Sequence, residues 1–283
     1  MTDFNGDRNV DVLFVVVAGH SREAAVNTAE ALQWSSPELS TAVVIADAGN
    51  VFNESDGWYT VRSSDAKFSA AQAIVSAIND GFVFEYVMIV DDRCLIISSG
   101  FVSFLVDKVR GQPLSVLGKR CSPVSPDAWT RSQTLLFQSG VPTSVWEEPP
   151  PALSDGLLLL SSDFVRSLLD RQLLVPAVAQ DWPASYGAFL SWTAHMLGYH
   201  VLSWGTPHRM LPPLYLDDDS PTLPAPSALN EGFGVLWPAT RVPGYSFTAL
   251  QELCRQHRGC APQFDVPRVR PEVTGPDIRN IAE

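Results

Sequence analysis

EYVMIVDDRCLI, residues 85–96, is the stretch on which the fold turns. An apolar run from Tyr86 to Val90 stops at two adjacent carboxylates, Asp91 and Asp92, and then Arg93. A run without polar alternation predicts a strand covered on both faces, as in the middle of a parallel sheet. The acids at its end allow two interpretations. One is a metal or phosphate site at the mouth of a buried strand. The other is a strand end kept soluble by charge.

Working outward, the same pattern recurs. VDVLFVVVA, residues 10–18, is a second continuous apolar strand. GHS follows it, and then REAAVNTAEALQWS reads as a helix with Ser21 as its N-cap. STAVVIADAGN is a strand closing on Asp47, and WYTVRSS is a short one. DAKFSAAQAIVSAINDG is an amphipathic helix with Gly81 as its C-cap. The order β-α-β-β-α-β predicts an α/β fold: a mostly parallel mixed sheet, Rossmann-like and flanked by helices.

The second half is less regular. SSGFVSFLVDKVRG reads as a helix, and residues 122–152 as proline-rich loops. GLLLLSSDFVRSLLDRQ reads as strand, turn and helix, and DWPASYGAFLSWTAHMLGYHVLSW as a helix entering a strand. Prolines dominate beyond residue 205. The expected organisation is one domain over residues 1–210, with a loop-rich, proline-rich C-terminal extension, 211–283, packing on it.

The chain has 283 residues, 46% hydrophobic and 18% charged, enough for a substantial core. Its formal net charge of −12 argues against general nucleic-acid binding. The N-terminal MTDFNGDRN carries no apolar segment of a secretory leader, and no run reaches the roughly 20 residues of a membrane span. A cytoplasmic protein with reduced cysteines is expected. CRQHRGC, residues 254–260, offers Cys254, His257 and Cys260, but the paired spacing of a zinc site is missing.

Ligands in open α/β sheets bind at the carboxyl ends of the strands. Four polar clusters are expected there: Gly19-His20-Ser21, Asp47, Asp91-Asp92-Arg93 and Ser161-Ser162-Asp163. Each also has a purely structural interpretation. Asp47 suits an Asx-type turn, and Asp181, followed by Pro183, suits a helix N-cap.

With these motifs in order, the chain resembles the nucleotide-sugar glycosyltransferases of the GT-A fold, in particular the large inverting family 2-like group. The resemblance covers about residues 10–210. In that family the turn after the first strand lies against the nucleotide, which implies Gly19 and His20. A strand-end Asp contacts the base, and VVIADAGN places Asp47 there. An Asp-rich motif holds a divalent metal on the diphosphate, and YVMIVDDRCLI is similar to it, implying Asp91 and Asp92. QDWPASYGAFLSWTAHMLGYHV resembles the segment bearing the general base, implying Asp181. WGTPHRM resembles the strand whose histidine completes the metal or phosphate shell, implying His208.

The implied partners are a nucleotide sugar, Mn²⁺ or Mg²⁺, and a hydroxyl acceptor of unknown class. The chain departs from the family at Arg93, where a third acid is usual, and at Gln180, where a Glu is usual. A cationic side chain cannot ligate a metal. Either Asp91 and Asp92 suffice, or Arg93 meets the diphosphate, or activity is lost. The alternatives are a sugar-phosphate nucleotidyltransferase, disfavoured by the glycine-poor AGHSREA, and a non-catalytic nucleotide-binding relative.

Overall fold

The computed structural model describes residues 8–53, 57–63, 66–96, 100–110, 114–120, 125–141, 149–175, 178, 181–182, 185–204, 214–215, 235–237, 249, 251–252 and 256. Strands are β1 Asn9–Ala18, β2 Thr41–Asp47, β3 Thr60–Arg62, β4 Val83–Asp91, β5 Leu95–Ile96, β6 Leu114–Arg120, β7 Leu153–Ser161, β8 His200–Trp204, β9 Leu214–Tyr215 and β10 Val235–Trp237. Helices are α1 Arg22–Trp34, α2 Ala66–Asn79, α3 Phe101–Val109, α4 Pro126–Gln138, α5 Ser162–Asp170 and α6 Tyr186–Met196.

Seven strands form one sheet in the order β3-β2-β1-β4-β7-β6-β8. All are parallel except β7, which runs against both of its neighbours. The expected mostly parallel mixed α/β sheet is therefore present. Its apolar strands are explained by cover on both faces. Along β1, Leu13, Val15 and Val17 enter a core shared with α2, α5 and α6. Val12, Phe14, Val16 and Ala18 enter a second core shared with α1 and α3.

Local signals set the element ends. The Ser21 hydroxyl accepts the Ala24 N–H at 3.1 Å and caps α1. Gly81, at φ +87°, ends the α2 segment, its N–H donating to the Ile78 carbonyl.

Two expectations are corrected. Residues 126–138, expected to be loop, form α4, with Ser125 as N-cap and Pro126 in the first turn. Proline suits that position because a first-turn N–H has no helical acceptor. Ser161-Ser162-Asp163 does not share a rim with the other polar clusters. Ser161 pairs with Tyr86 near the start of β4, so reversal of β7 sends this cluster to the opposite edge. An apolar groove of about 280 Å³, lined by Phe82, Phe84, Ser162 and Leu169, lies on that far side.

β5, β10 and β9 form a separate three-stranded sheet, in which β10 pairs antiparallel with β5 just after Arg93. No helix among the described residues is long and apolar enough to cross a membrane.

Candidate active site

Sheet register brings the strand-end groups together. Ala18 of β1 is level with Asp47 of β2, and Val17 is level with Asp91 of β4. Asp47 and Asp91 therefore flank β1, about 10 Å apart at two strand spacings. β7 adds its N-terminal end to the same rim, because Leu157 is level with Val90 and the strand runs backwards from there. β6 ends beside it at Lys119 and Arg120.

Asp92 is 2% exposed and turned inward. Its Oδ2 accepts N–H bonds from Gly19 at 3.0 Å, His20 at 2.7 Å and Ser21 at 3.3 Å. Successive backbone N–H groups before a helix form an anion cradle. Here the chain fills that cradle with its own carboxylate. Burial pushes the Asp92 carboxyl above its ordinary range, the three N–H groups pull it down, and the charge of Asp91 adds to the rise. Thr28 of α1 ties the same turn from behind, its hydroxyl donating to the carbonyls of Asp92 and Cys94.

Asp91 and Arg93 form a closed clasp. Arg93 Nε donates to Asp91 Oδ1 at 2.8 Å, and Nη2 donates to Oδ2 at 2.6 Å. The Arg93 backbone N–H also meets Oδ1 at 2.8 Å. The clasp is polarised: the arginine side chain is 41% exposed and the aspartate 14%. The Cys94 N–H closes the turn on the Asp91 carbonyl at 2.9 Å.

Asp47 is fully buried. Its two oxygens accept the N–H groups of Val51 at 2.9 Å and Phe52 at 3.2 Å. The N–H groups of Ala48 and Gly49 donate to the Ala18 carbonyl, and Arg62 donates to the Phe52 carbonyl. The 48–52 loop is thus fixed against the end of β1. The Arg22 guanidinium lies 6.0 Å from the centre of the Phe52 ring.

Two rim residues escaped the sequence reading. Asp155 Oδ1 accepts the Gly187 N–H at 2.7 Å, and its backbone carbonyl accepts the Tyr186 hydroxyl. These bonds bind the start of α6 to the start of β7. Burial first, then the charges of Asp155 and Asp91, push the Tyr186 hydroxyl well above its usual range. The acid before the apolar run in SDGLLLL was the available signal, but it points to the rim only once β7 is known to be reversed.

Asp181 is exposed, and its backbone N–H donates to the Val178 carbonyl. It is not the cap of the following helix, because Ser185 caps α6 by accepting the Ala188 N–H. Trp182 is buried and stacked on Phe189 at 4.7 Å, so its ring belongs to the core. His208, Gln180, Cys254, His257 and Cys260 lie outside the described residues.

A divalent cation requires several oxygen ligands with lone pairs directed at it. Both Asp91 oxygens face Arg93, and Asp92 Oδ2 faces three N–H groups. Among the described residues, no group of three His, Cys, Asp or Glu side chains could hold a metal ion. The described residues do not present the expected metal pair with its oxygens open, because both Asp91 oxygens and Asp92 Oδ2 already have partners within the chain.

No family model matches the sequence. No curated protein matches it. Among solved structures, the chain is similar to a glycosyltransferase involved in glycosylation of the major capsid of PBCV-1, at 10% identity and a TM-score of 0.45, over 87% of this chain and 99% of that one. It is also similar to mouse xyloside xylosyltransferase 1 in its apo form, at 12% identity and a TM-score of 0.40, over 81% of this chain and 96% of that one. A third similarity is to a mannosyltransferase from Pyrobaculum calidifontis in complex with GDP-Man and Mn²⁺, at 14% identity and a TM-score of 0.40, over 72% of this chain and 57% of that one.

Proposed function

We propose that this chain is a glycosyltransferase on a GT-A-like fold, moving a sugar from a nucleoside-diphosphate donor to a hydroxyl acceptor with inversion. One observation carries it. Neighbouring strands β2, β1, β4 and the reversed β7 deliver Asp47, Gly19–Ser21, Asp91–Arg93 and Asp155 to a single rim. Carboxyl ends of parallel strands are where such sheets bind ligands.

The nucleoside lies over the 48–52 loop. Asp47 acts on it through that loop, since its carboxylate is committed to Val51 and Phe52. Gly19 and His20 line the other side of the nucleotide with their exposed surface, while their N–H groups hold Asp92. In the transfer, the acceptor oxygen bonds to the anomeric carbon as the bond from that carbon to the phosphate oxygen breaks. The leaving diphosphate takes the electron pair, and Asp181 takes the acceptor proton. No step is routed through a metal ion.

Hydrolysis of UDP- and GDP-sugars by the wild type and by Asp181→Asn tests this. The expected result is donor cleavage that falls by about 10²- to 10⁴-fold in the variant. Equal rates in both proteins would remove Asp181 as the base. The closed Asp91–Arg93 clasp also suits a non-catalytic nucleotide-binding relative. UDP or GDP binding without cleavage of any donor would favour that alternative.

A further inference from the structure

We infer that this rim holds a nucleoside diphosphate without a divalent cation, with Arg93 as the positive partner of the diphosphate and Asp91 as the residue that aims it. This role deepens the glycosyltransferase reading and rests on it.

A departing diphosphate gains negative charge, which has to be met by positive charge placed in advance. A metal ion held by carboxylates is one solution. A guanidinium is the other, because its planar fork matches phosphate oxygens. Side-chain commitments along the rim decide between them. The Asp91 carboxylate is spanned on both oxygens by Arg93, and Asp92 Oδ2 is turned onto the N–H groups of Gly19, His20 and Ser21.

That second commitment matters twice. It removes a metal ligand, and it fills the helix-start cradle where a phosphate would otherwise settle. Phosphate oxygens must then use the next positive group along the rim. Of the rim's basic groups, which include Lys119 and Arg120 at the end of β6, Arg93 is the one that directly follows the central strand β4 and Asp92, and it is the more exposed member of its pair. The aspartate beneath restricts the guanidinium to one orientation, which lowers the entropy lost when it grips a ligand. Asp91 is a positioning residue here, and the guanidinium is the more exposed half of the pair in a chain of net charge −12.

The test measures UDP and GDP binding to the full chain by calorimetry, in EDTA and then in Mn²⁺. A separate Mn²⁺ titration is followed by electron paramagnetic resonance. Wild-type affinities should agree within about twofold between the two conditions, and no stoichiometric Mn²⁺ site should appear. Arg93→Ala should weaken UDP and GDP by about tenfold or more while leaving uridine and guanosine unchanged. It also uncovers the Asp91 carboxylate, so Mn²⁺ should now strengthen diphosphate binding, an effect that a merely structural arginine would not produce.

Arg93→Lys keeps the charge and should retain more of the affinity than Arg93→Ala, with thermal melts reporting the fold of each variant. A loss of wild-type affinity in EDTA of about tenfold or more overturns the inference. So does a wild-type Mn²⁺ site abolished by Asp91→Asn. Absence of UDP and GDP binding in every condition refutes the nucleotide reading itself, and the Mn²⁺ titration still decides whether the rim takes a metal.

Discussion

Replacing Asp92 with alanine strips one acceptor from three backbone donors at once. The Gly19, His20 and Ser21 N–H groups all converge on Oδ2, at 3.0, 2.7 and 3.3 Å. Hydrogen bonds to a charged group contribute about 1.5–3 kcal/mol each. The 3.3 Å bond is the weakest of the three, so two good bonds set the scale at about 3–6 kcal/mol before offsets. Two effects reduce it: burial of the charge is itself unfavourable, and water can enter the vacated space. The net loss should be about 2–4 kcal/mol. At about 2–4 °C per kcal/mol for a domain of this class, the melting temperature should fall by roughly 4–16 °C. Asp92→Asn should cost less than about 1 kcal/mol, because its amide oxygen still accepts and the burdened charge is gone. Urea unfolding followed by tryptophan fluorescence reads both variants, since Trp129, Trp182 and Trp192 are buried. If alanine costs under about 1 kcal/mol, or asparagine costs as much as alanine, Asp92 does not hold the cradle together.

Three further outcomes follow from the same geometry. The folded state holds the Asp92 proton more firmly than the unfolded chain does, so wild-type stability should fall relative to Asp92→Asn as pH rises from about 4, then level off above the raised value; urea midpoints at several pH values would show it, and wild-type stability that rises relative to Asp92→Asn over that range would contradict it. Gly187→Ala would place a methyl 2.6 Å from the Ser154 carbonyl oxygen and 2.8 Å from that of Leu153. Backbone atoms cannot swing aside, so a loss of about 2–3 kcal/mol is expected in urea unfolding, and a change below about 0.5 kcal/mol would mean that α6 moves freely off β7. The fully buried Cys94 donates its thiol to the Gly156 carbonyl, and burial pushes that thiol well above its ordinary value. Mass spectrometry should find Cys94 unalkylated by iodoacetamide in the folded protein and alkylated in urea.

The first half of the fold was legible because its signals are local. Continuous apolar runs mark β1, β2 and β4, and Ser21 and Gly81 punctuate the helices. α4 was hidden by Pro126, taken as a loop residue although Ser-Pro also starts helices. The direction of β7 was not encoded in LLLL, since apolar residues pack equally well either way. That single unknown displaced Ser161–Asp163 from the rim and concealed Asp155. The position of Asp91 and Asp92 was readable, but their occupation was not. One carboxylate is claimed by a side chain two residues on, the other by backbone more than seventy residues back. Spacing alone carries no trace of the second.

The pairing of β5 with β10 joins residues 95–96 to residues 235–237. Contacts between such remote segments form late, since the intervening chain must first be ordered. During synthesis, the turn bearing Arg93 therefore stands beside an edge still waiting for its strand until the distant segment has emerged. A polypeptide halted before residue 235 would keep that edge open, short as it is, as a place for a foreign strand to add. Among the described residues, β10 thus closes an edge of β5 that the first half of the chain leaves unpaired, two residues beyond Arg93.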